Sequence, residues 1–274
     1  MSDPVTETTG GHTRGAAAVS AAAKDIRRGK KELMIAWWVM LGFYQLYAIS
    51  FFMIAPVQPP PDPAKTVADV VQWYGDNQFR LLLGVSILYA IIGMTTLCNA
   101  LIAYSMYRMS VSRVFAYSYI AFYALSAIPG LLLTCFALTT AAIRPDRDPE
   151  VLHWLYDLAF LAFDGTMGVF LLGSLIWMLA ILLDKNRVLP RWFGYLNLCN
   201  ALTEVVVAPC WIFQSGFFAW DGVVTWWINI LVFGVYTTAF VTLLRRMIQA
   251  EDFGTGQMPY PPQAPHASVQ PRPV

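Results

Sequence analysis

A few ionisable side chains lie inside otherwise apolar stretches of this sequence. Asp157 and Asp164 are seven residues apart, and His153 precedes Asp157 by four. At about 100° per residue, these three fall within about 40° of one helix face. An ionised group inside a membrane helix is costly and usually faces the interior of a bundle, so these residues are candidates for ligand or proton binding. Hydrogen bonding at the outer membrane surface is the structural alternative for His153 and Asp157.

Another carboxyl group, Glu204, shares an arc of about 60° with Asn197 and Asn200 on the next apolar stretch. At a rise of about 1.5 Å per residue, Glu204 and Asp164 reach similar depths near the middle of a bilayer. If their helices face each other, the two carboxyl groups meet in a low dielectric and can share one proton. The sequence therefore makes Asp164 and Glu204, with Asn197 and Asn200, candidates for proton or ligand binding. A protonated carboxyl group that holds two helices together is the structural alternative for Asp164 and Glu204.

Uncharged polar side chains recur on single faces of the other apolar stretches. The candidates for lining a cavity are Tyr119, Tyr123, Ser126, Asn99, Asn229 and Tyr236. Polar side chains also hold membrane helices together by hydrogen bonds, because no hydrophobic drive acts between helices in lipid. Both interpretations, cavity lining and helix association, stay open at this point.

The elements that must position these residues are six apolar stretches. A helix needs about 20 residues to cross about 30 Å of hydrocarbon. The predicted spans are 33–55, 80–106, 114–143, 154–183, 194–216 and 223–245, with Pro129 and Pro209 as kinks. The chain is 57% apolar and only 13% charged, against about a quarter charged in soluble proteins. We predict an all-α protein, a polytopic transmembrane bundle of six helices in the lipid bilayer.

The basic residues predict the orientation of this bundle, because Lys and Arg that flank membrane helices stay in the cytoplasm. With the N-terminus inside, fourteen of the eighteen basic residues fall on the inner side. The four outer ones are Lys65, Arg80, Arg144 and Arg147. The division predicts a membrane domain over 32–247 and cytoplasmic ends. Residues 1–31 and the Pro-rich 248–274 are predicted to be disordered cytoplasmic tails.

The first outer loop is rich in proline and precedes a short helix. Thr66 and Asp69 have the spacing of a capping box, and apolar residues then recur with helical spacing. The pattern predicts a helix lying on the outer membrane surface, with Trp73 and Tyr74 as interfacial anchors. Closure of a cavity mouth is the alternative.

Several chemistries lack the residues they need. The three histidines are too few for a di-iron hydroxylase or a haem b anchor. No phosphate-binding GxxxxGK[ST] loop occurs, and the four cysteines show no zinc spacing. The charge distribution gives no basic patch for nucleic acid. We predict no cofactor and no metal, and the sequence favours a non-enzymatic protein, although His153, Asp157 and a third ligand would suffice for a metal-dependent membrane enzyme.

Some loop sequences resemble those of a family of uncharacterised bacterial multi-pass membrane proteins with a Pro-rich first outer loop. The resemblance rests on Pro59-Pro60-Pro61-Asp62-Pro63, Trp73-Tyr74-x-x-Asn77-x-x-Arg80, Arg144-Pro145-x-Arg147-Asp148-Pro149-Glu150, Pro190-Arg191-Trp192-x-Gly194-Tyr195-x-Asn197 and Gly216-Phe217-Phe218-Ala219-Trp220-Asp221-Gly222. It covers roughly residues 33 to 246. It implies about six helices and a bacterial inner (plasma) membrane, and it transfers no functional residue.

Two functions follow as expectations. The first is binding or transport of a small apolar or weakly acidic molecule, coupled to protons through Asp164 and Glu204. The second is an accessory or scaffold subunit that meets a membrane protein partner in a larger assembly. The first is the leading hypothesis, and the second is its alternative.

Overall fold

The computed structural model describes residues 10–164 and 167–251. Within these ranges the chain is helical and has no strand. The α-helices are α1 Gly10–Ala48, α2 Val67–Ile91, α3 Thr95–Arg108, α4 Val114–Phe122, α5 Ile128–Ile143, α6 Pro149–Asp164, α7 Met167–Leu183, α8 Arg191–Val207 and α9 Asn229–Ala250. Short π turns at Ile49–Ile54, Tyr123–Ala127 and Val223–Ile228 and 3-10 turns at Ile92–Met94 and Ala208–Trp211 extend or join them.

Four helical stretches are long and apolar enough to cross a membrane. They are Arg27–Ile54, Val67–Arg108, Val114–Ile143 and Val223–Ala250. Each of these stretches contains all or most of one predicted span. The third stretch, Val114–Ile143, has the predicted bounds. The prediction of an all-helical protein with helices of membrane-crossing length is confirmed to this extent.

The number of helical stretches differs from the prediction. The described residues contain seven, not six. The predicted helix 154–183 corresponds to two helices, α6 and α7, on either side of residues 165 and 166, which lie outside the described residues. Hydrophobic length alone predicted one helix there, because apolar residues continue on both sides of residues 165 and 166.

The predicted helix 194–216 is also shorter in the structure. The α-helix α8 ends at Val207, and a 3-10 turn carries the chain only to Trp211. Pro209 explains the early end, because proline has no N–H to donate and its ring clashes with the preceding turn. The loop that follows includes Gly216 at φ +84°, a left-handed conformation that glycine adopts without strain.

The first helix begins earlier than the sequence suggested. Residues 10–31, expected to belong to a disordered tail, form the N-terminal part of α1. Alanine at 16–18 and 21–23 accounts for this, because alanine has the highest helix propensity. At the other end α9 continues to Ala250. Residues 1–9 and 252–274 lie outside the described residues, so the prediction for them stays a prediction.

The start of α2 contains the predicted capping box. The Thr66 side chain accepts from the Asp69 N–H at 3.2 Å, and the Asp69 carboxylate accepts from the Thr66 N–H at 3.1 Å. The expected separate surface helix is wrong, however, because α2 runs without interruption to Ile91. Tyr74 is fully buried, and the Trp73 ring lies 5.6 Å from the Tyr156 ring of α6. Helical periodicity marks an apolar face but does not distinguish lipid from a neighbouring helix.

Helix ends and loops from four parts of the chain meet at one end of the bundle. Arg108 at the end of α3 forms an ion pair with the buried carboxylate of Glu251, with N and O 2.6 Å apart. Lys30 of α1 donates to a backbone carbonyl near the end of α9. The Ser110 N–H donates to Asp184 at 2.8 Å. These are the segments that the sequence predicts to be cytoplasmic.

The opposite end is held by the first outer loop. The Tyr156 hydroxyl donates to the Asp62 carbonyl at 2.9 Å. The Trp220 indole N–H donates to the Pro61 carbonyl at 2.7 Å. These bonds fix the Pro-rich loop against α6 and against the loop that precedes α9.

The outer surface of the bundle carries many large apolar side chains. Leu231 is 68% exposed and Phe136 is 59% exposed. Contiguous apolar surface is rare on soluble monomers, and lipid is the environment in which it carries no cost. The exposed surface therefore agrees with helices that cross a bilayer.

Candidate functional site

A cavity of about 170 Å³ lies in the interior of the bundle, beside Glu204. We call it the Glu204 cavity. The residues that line it are Phe43, Tyr44, Tyr47, Phe52, Gln58, Ile92, Thr95, Cys98, Asn99, Ile102, Tyr123, Leu131, Phe163, Phe170, Ser174, Asn200, Glu204, Trp226, Asn229, Ile230, Phe233, Tyr236 and Phe240. They come from α1, α3 and α5 to α9, from several of the short turns and from the first outer loop.

The cavity wall contains buried polar groups without partners. Glu204 is only 3% exposed, and its Oε2 has no hydrogen-bond partner among the described residues. Both amide atoms of Asn229 and of Gln58 are likewise buried and unpartnered within the described part of the chain. A buried polar group without a partner costs about 1–3 kcal/mol. Several such groups around one cavity indicate a place where a guest molecule completes the hydrogen bonding.

Asn200 links two helices at the cavity wall. Its Nδ2 donates to the Ser174 hydroxyl at 3.1 Å, which joins α8 to α7. The Asn200 Oδ1 has no partner in the described residues. Asn200 lies one helical turn before Glu204, so one face of α8 presents an amide and a carboxyl group to the cavity.

Aromatic rings form much of the remaining wall. Eleven of the twenty-three described lining residues are Phe, Tyr or Trp. Neighbouring rings pack against one another, with centroid distances of 5.6 Å for Tyr44 and Phe240 and 5.9 Å for Tyr123 and Phe170. Aromatic faces are both apolar and electron-rich, so the wall suits an apolar guest or an organic cation.

A cluster of rings packs around Tyr236, which lines the cavity. Trp177 of α7 is fully buried, 5.0 Å from the Phe193 ring and 6.3 Å from the Tyr236 ring. Phe193 and Tyr236 stack at 5.8 Å. We call Trp177, Phe193 and Tyr236 the inner aromatic cluster. Since Phe193 lies in the first turn of α8, this cluster connects the cavity wall to the start of α8.

The structure brings together six of the residues nominated from the sequence. The side chains that line the Glu204 cavity are Glu204, Asn200, Asn99, Asn229, Tyr123 and Tyr236. Asn197 and Tyr119 are buried but do not line it. Asn197 donates to the Phe193 carbonyl at 2.8 Å, and the Tyr119 ring packs 4.7 Å from the Tyr123 ring. These two residues therefore support the wall from behind.

His153 lies in the second turn of α6 and Asp157 near the middle of that helix, and neither residue is part of the cavity lining. His153 Nδ1 is 3.8 Å from Asp157 Oδ2, and His153 Nε2 is 3.3 Å from the Lys65 carbonyl. Within the described residues no group of three His, Cys, Asp or Glu side chains is placed to hold a metal ion. The contacts of His153 connect α6 to the first outer loop.

Two nominated residues have side chains outside the described part of the structure. They are Asp164 and Ser126. The meeting of Asp164 with Glu204 therefore stays a prediction.

Sequence reasoning missed several parts of the cavity. Gln58 lies in a Pro-rich loop that gives no sign of reaching the interior, yet its side chain lines the cavity. Phe163, Phe170 and Ser174 lie on a uniformly apolar stretch, where no periodicity singles them out. Only the packing of distant segments places these residues at one site.

No family model, no curated protein and no solved structure matches this chain. Membership of a bacterial membrane protein family remains a prediction from the loop sequences. The function must be argued from the cavity itself.

Proposed function

We propose that this protein is a multi-pass protein of the bacterial inner membrane that binds a small, mainly apolar molecule in the Glu204 cavity and couples its binding or transport to a proton on Glu204. The observation that carries the proposal is the set of buried, unpartnered polar groups in an aromatic cavity. Binding sites for small molecules combine such a wall with a few convergent polar groups.

The volume of the cavity limits the size of the guest. At about 170 Å³ it is comparable to the cavity of about 150 Å³ that accepts benzene in an engineered protein core. A molecule with one aromatic ring and one small polar group fits this volume. Larger molecules would require lining side chains to move.

The proton-coupled part of the proposal rests on the charge balance of Glu204. A buried carboxylate without a cation is strongly disfavoured, so the group must be neutralised by a proton or by a positively charged partner. No Lys, Arg or His side chain lines the cavity among the described residues. Binding of a guest and binding of a proton can therefore depend on each other at this carboxyl group.

Filling the cavity tests the binding proposal. Benzyl alcohol serves as a neutral probe of suitable size, and saturation-transfer NMR detects its contact with the detergent-solubilised full chain. We expect Ser174→Leu, which places a larger side chain at the cavity wall, to reduce the transfer signal at least tenfold. The control is Thr96→Leu, a matched increase in size at an exposed position on α3. Equal signals from both variants, with equal melting temperatures, would contradict the proposal.

An accessory role in a larger membrane assembly is the second candidate. A groove between α8 and α9 supports it, lined by Trp192, Leu196, Gly234, Thr238 and Thr242 among others. Gly234, Thr238 and Thr242 recur at four-residue spacing, which allows close approach of another membrane helix. The occupant would be a transmembrane helix of a partner protein.

Purification under mild conditions separates this candidate from the first. An accessory subunit should elute with a stoichiometric partner, and Gly234→Leu should release that partner by closing the groove. Gly93→Leu provides the control, because a Cβ at Gly93 meets nothing within 4 Å. A single species of the mass of this chain, unchanged by Gly234→Leu, argues against the accessory role.

A further inference from the structure

We infer that the Glu204 cavity selects a small organic amine in its protonated, cationic form. The inference rests on the proposed function, because it requires that a ligand occupies this cavity. The sequence led to the expectation of an apolar or weakly acidic ligand, and this inference replaces the weak acid with an organic cation.

The charge of the cavity wall favours a cation. Among the described residues, the titratable side chains that line it besides Glu204 are Tyr44, Tyr47, Cys98, Tyr123 and Tyr236. None of these can carry a positive charge. An ionised weak acid would thus bring a second negative charge beside Glu204 with no cationic side chain to balance it in the described wall.

The hydrogen-bonding groups of the wall favour a donor. Four buried oxygen atoms of lining residues have no partner among the described residues: Glu204 Oε2, Asn200 Oδ1, Asn229 Oδ1 and Gln58 Oε1. Only two buried nitrogen atoms of lining residues also lack a partner among the described residues, the amide nitrogens of Asn229 and Gln58. An ammonium group offers up to three N–H donors and no acceptor, so it complements the excess of acceptor oxygens.

The aromatic wall supports the same choice. A cation above the face of an aromatic ring is attracted by the negative charge of the ring face, and the attraction increases when water is excluded. Tyr44, Trp226 and Phe233 line the cavity from α1, the last π turn and α9. A carboxylate ligand would meet the same ring faces with repulsion. The charge, the hydrogen-bonding groups and the aromatic rings of the wall therefore all favour a protonated organic amine.

Three probes of one size separate the possible ligand classes. Benzylamine is cationic at pH 7, benzyl alcohol is neutral and benzoate is anionic, and all three carry one benzene ring. Their affinities for the full chain in nanodiscs of neutral lipid are measured by saturation-transfer NMR, with empty nanodiscs as the blank. We expect benzylamine to bind at least tenfold more tightly than benzyl alcohol, and benzoate to show no binding above the blank.

Two variants connect this preference to Glu204. Glu204→Gln keeps the size of the side chain but removes its charge, and should lower the affinity for benzylamine to that for benzyl alcohol. Asp76→Asn removes one negative charge from an exposed position of α2 and should leave the preference unchanged. Glu204→Asp, which keeps the charge, should retain a preference for benzylamine even if the affinity falls.

The possible results distinguish the proposal that the cavity binds a ligand from the proposal that this ligand is a cation. Benzyl alcohol or benzoate binding as tightly as benzylamine would overturn the choice of a cation and leave the proposed function standing. A benzylamine preference that survives Glu204→Gln would also overturn it. Binding of none of the three probes above the blank, to a protein with an unchanged melting temperature, would contradict both proposals.

Discussion

At the scale of single residues, Glu204 is the proposed proton-binding group, and it also has an oxygen atom without a hydrogen-bond partner among the described residues. Its carboxyl group shares a buried cavity wall with the amides of Asn200 and Asn229, and the described residues leave several of these atoms unpartnered. Under the proposed function, a ligand or a proton bound there would supply the missing hydrogen bonds, and relief of the cost of these unpartnered groups would contribute to the affinity.

Replacing Glu204 with glutamine should abolish proton-coupled transport. Benzylamine added to vesicles that contain the protein and an internal pH-sensitive dye should move protons at a rate above that of protein-free vesicles. Because glutamine cannot release a proton, we expect Glu204→Gln to lower this difference at least tenfold. Asp76→Asn is the control for loss of one charge. A rate unchanged by Glu204→Gln would exclude the carboxyl group from the mechanism.

Asp164 offers a test of the shared proton predicted from the sequence. If Asp164 and Glu204 act as one unit, the loss caused by Asp164→Asn should not add to that caused by Glu204→Gln. The double variant should then have the same transport rate as Glu204→Gln alone. Additive losses in the same vesicle assay would show that the two carboxyl groups act independently.

The sequence predicted the polar part of the cavity better than its apolar part. Glu204, Asn200 and Asn229 could be found because polar groups are conspicuous in apolar helices. Phe163 and Gln58 could not, since an apolar ring among apolar neighbours and an amide in a polar loop are both ordinary. Their role depends on tertiary packing, which a one-dimensional pattern does not contain.

At the scale of the elements, glycine positions decide how closely helices approach. A Cβ at Gly84 of α2 would lie 2.7 Å from the Ala55 Cβ and 3.1 Å from the Ser50 carbonyl oxygen. The Ser50 hydroxyl also donates to the Gly84 carbonyl. The contact therefore joins α2 to the end of the first helix and leaves no room for a larger residue.

Gly84→Ala should destabilise the protein by about 1–3 kcal/mol, the range found for overpacked cores. Gly75→Ala on the same helix is the matched control, because a Cβ there meets nothing within 4 Å. Alanine favours helix over glycine by about 0.5–1 kcal/mol, so Gly75→Ala should be neutral or stabilising. Thermal unfolding in one detergent measures both variants. Equal melting temperatures would show that the helices separate without cost.

The outer loops provide a pH-dependent element. Burial raises the pKa of the Asp221 carboxyl group above its ordinary value, and nearby Asp62 adds to the effect. An acid with a raised pKa in the folded state binds protons more tightly when folded, so its ionised form lowers stability as pH rises. The loss begins near the unfolded pKa of about 4 and is complete above the folded pKa.

Asp221→Asn should accordingly raise the melting temperature at about pH 7 and have little effect near pH 4. Glu150→Gln is the control, since Glu150 is an exposed carboxyl group of α6. Thermal unfolding of the three proteins across this pH range measures the effect. A difference that does not grow with pH, or that favours aspartate at neutral pH, would contradict the assignment.

The length of the apolar stretches predicted the bounds of some helices and not of others. The residues at the helix ends explain the difference. The span 114–143 has the predicted bounds because polar loops flank it on both sides. Over 154–183 the structure describes two helices on either side of residues 165 and 166, and within 194–216 the α-helix ends before Pro209. Hydropathy indicates which segments can lie in lipid. The position at which a helix ends depends instead on backbone hydrogen bonding.

At the scale of the whole molecule, contacts at the two ends explain how seven helical stretches can make six crossings. Tyr156 of α6 bonds to the first outer loop, whereas Asp184, just after α7, bonds to Ser110 at the opposite end. At about 1.5 Å per residue, α6 and α7 each span only about 25 Å. We therefore expect α6 and α7 to cross the membrane together, once.

An even number of crossings has a direct consequence for the two ends of the chain. A reporter that fluoresces only in the cytoplasm, fused after residue 274, should be active, and an alkaline phosphatase fused there should not. Both readouts should reverse for fusions after Asp146, in the second outer loop. Seven separate crossings would instead place the C-terminus outside if the basic N-terminal segment stays inside. Active phosphatase at the C-terminus would thus overturn the six-crossing arrangement.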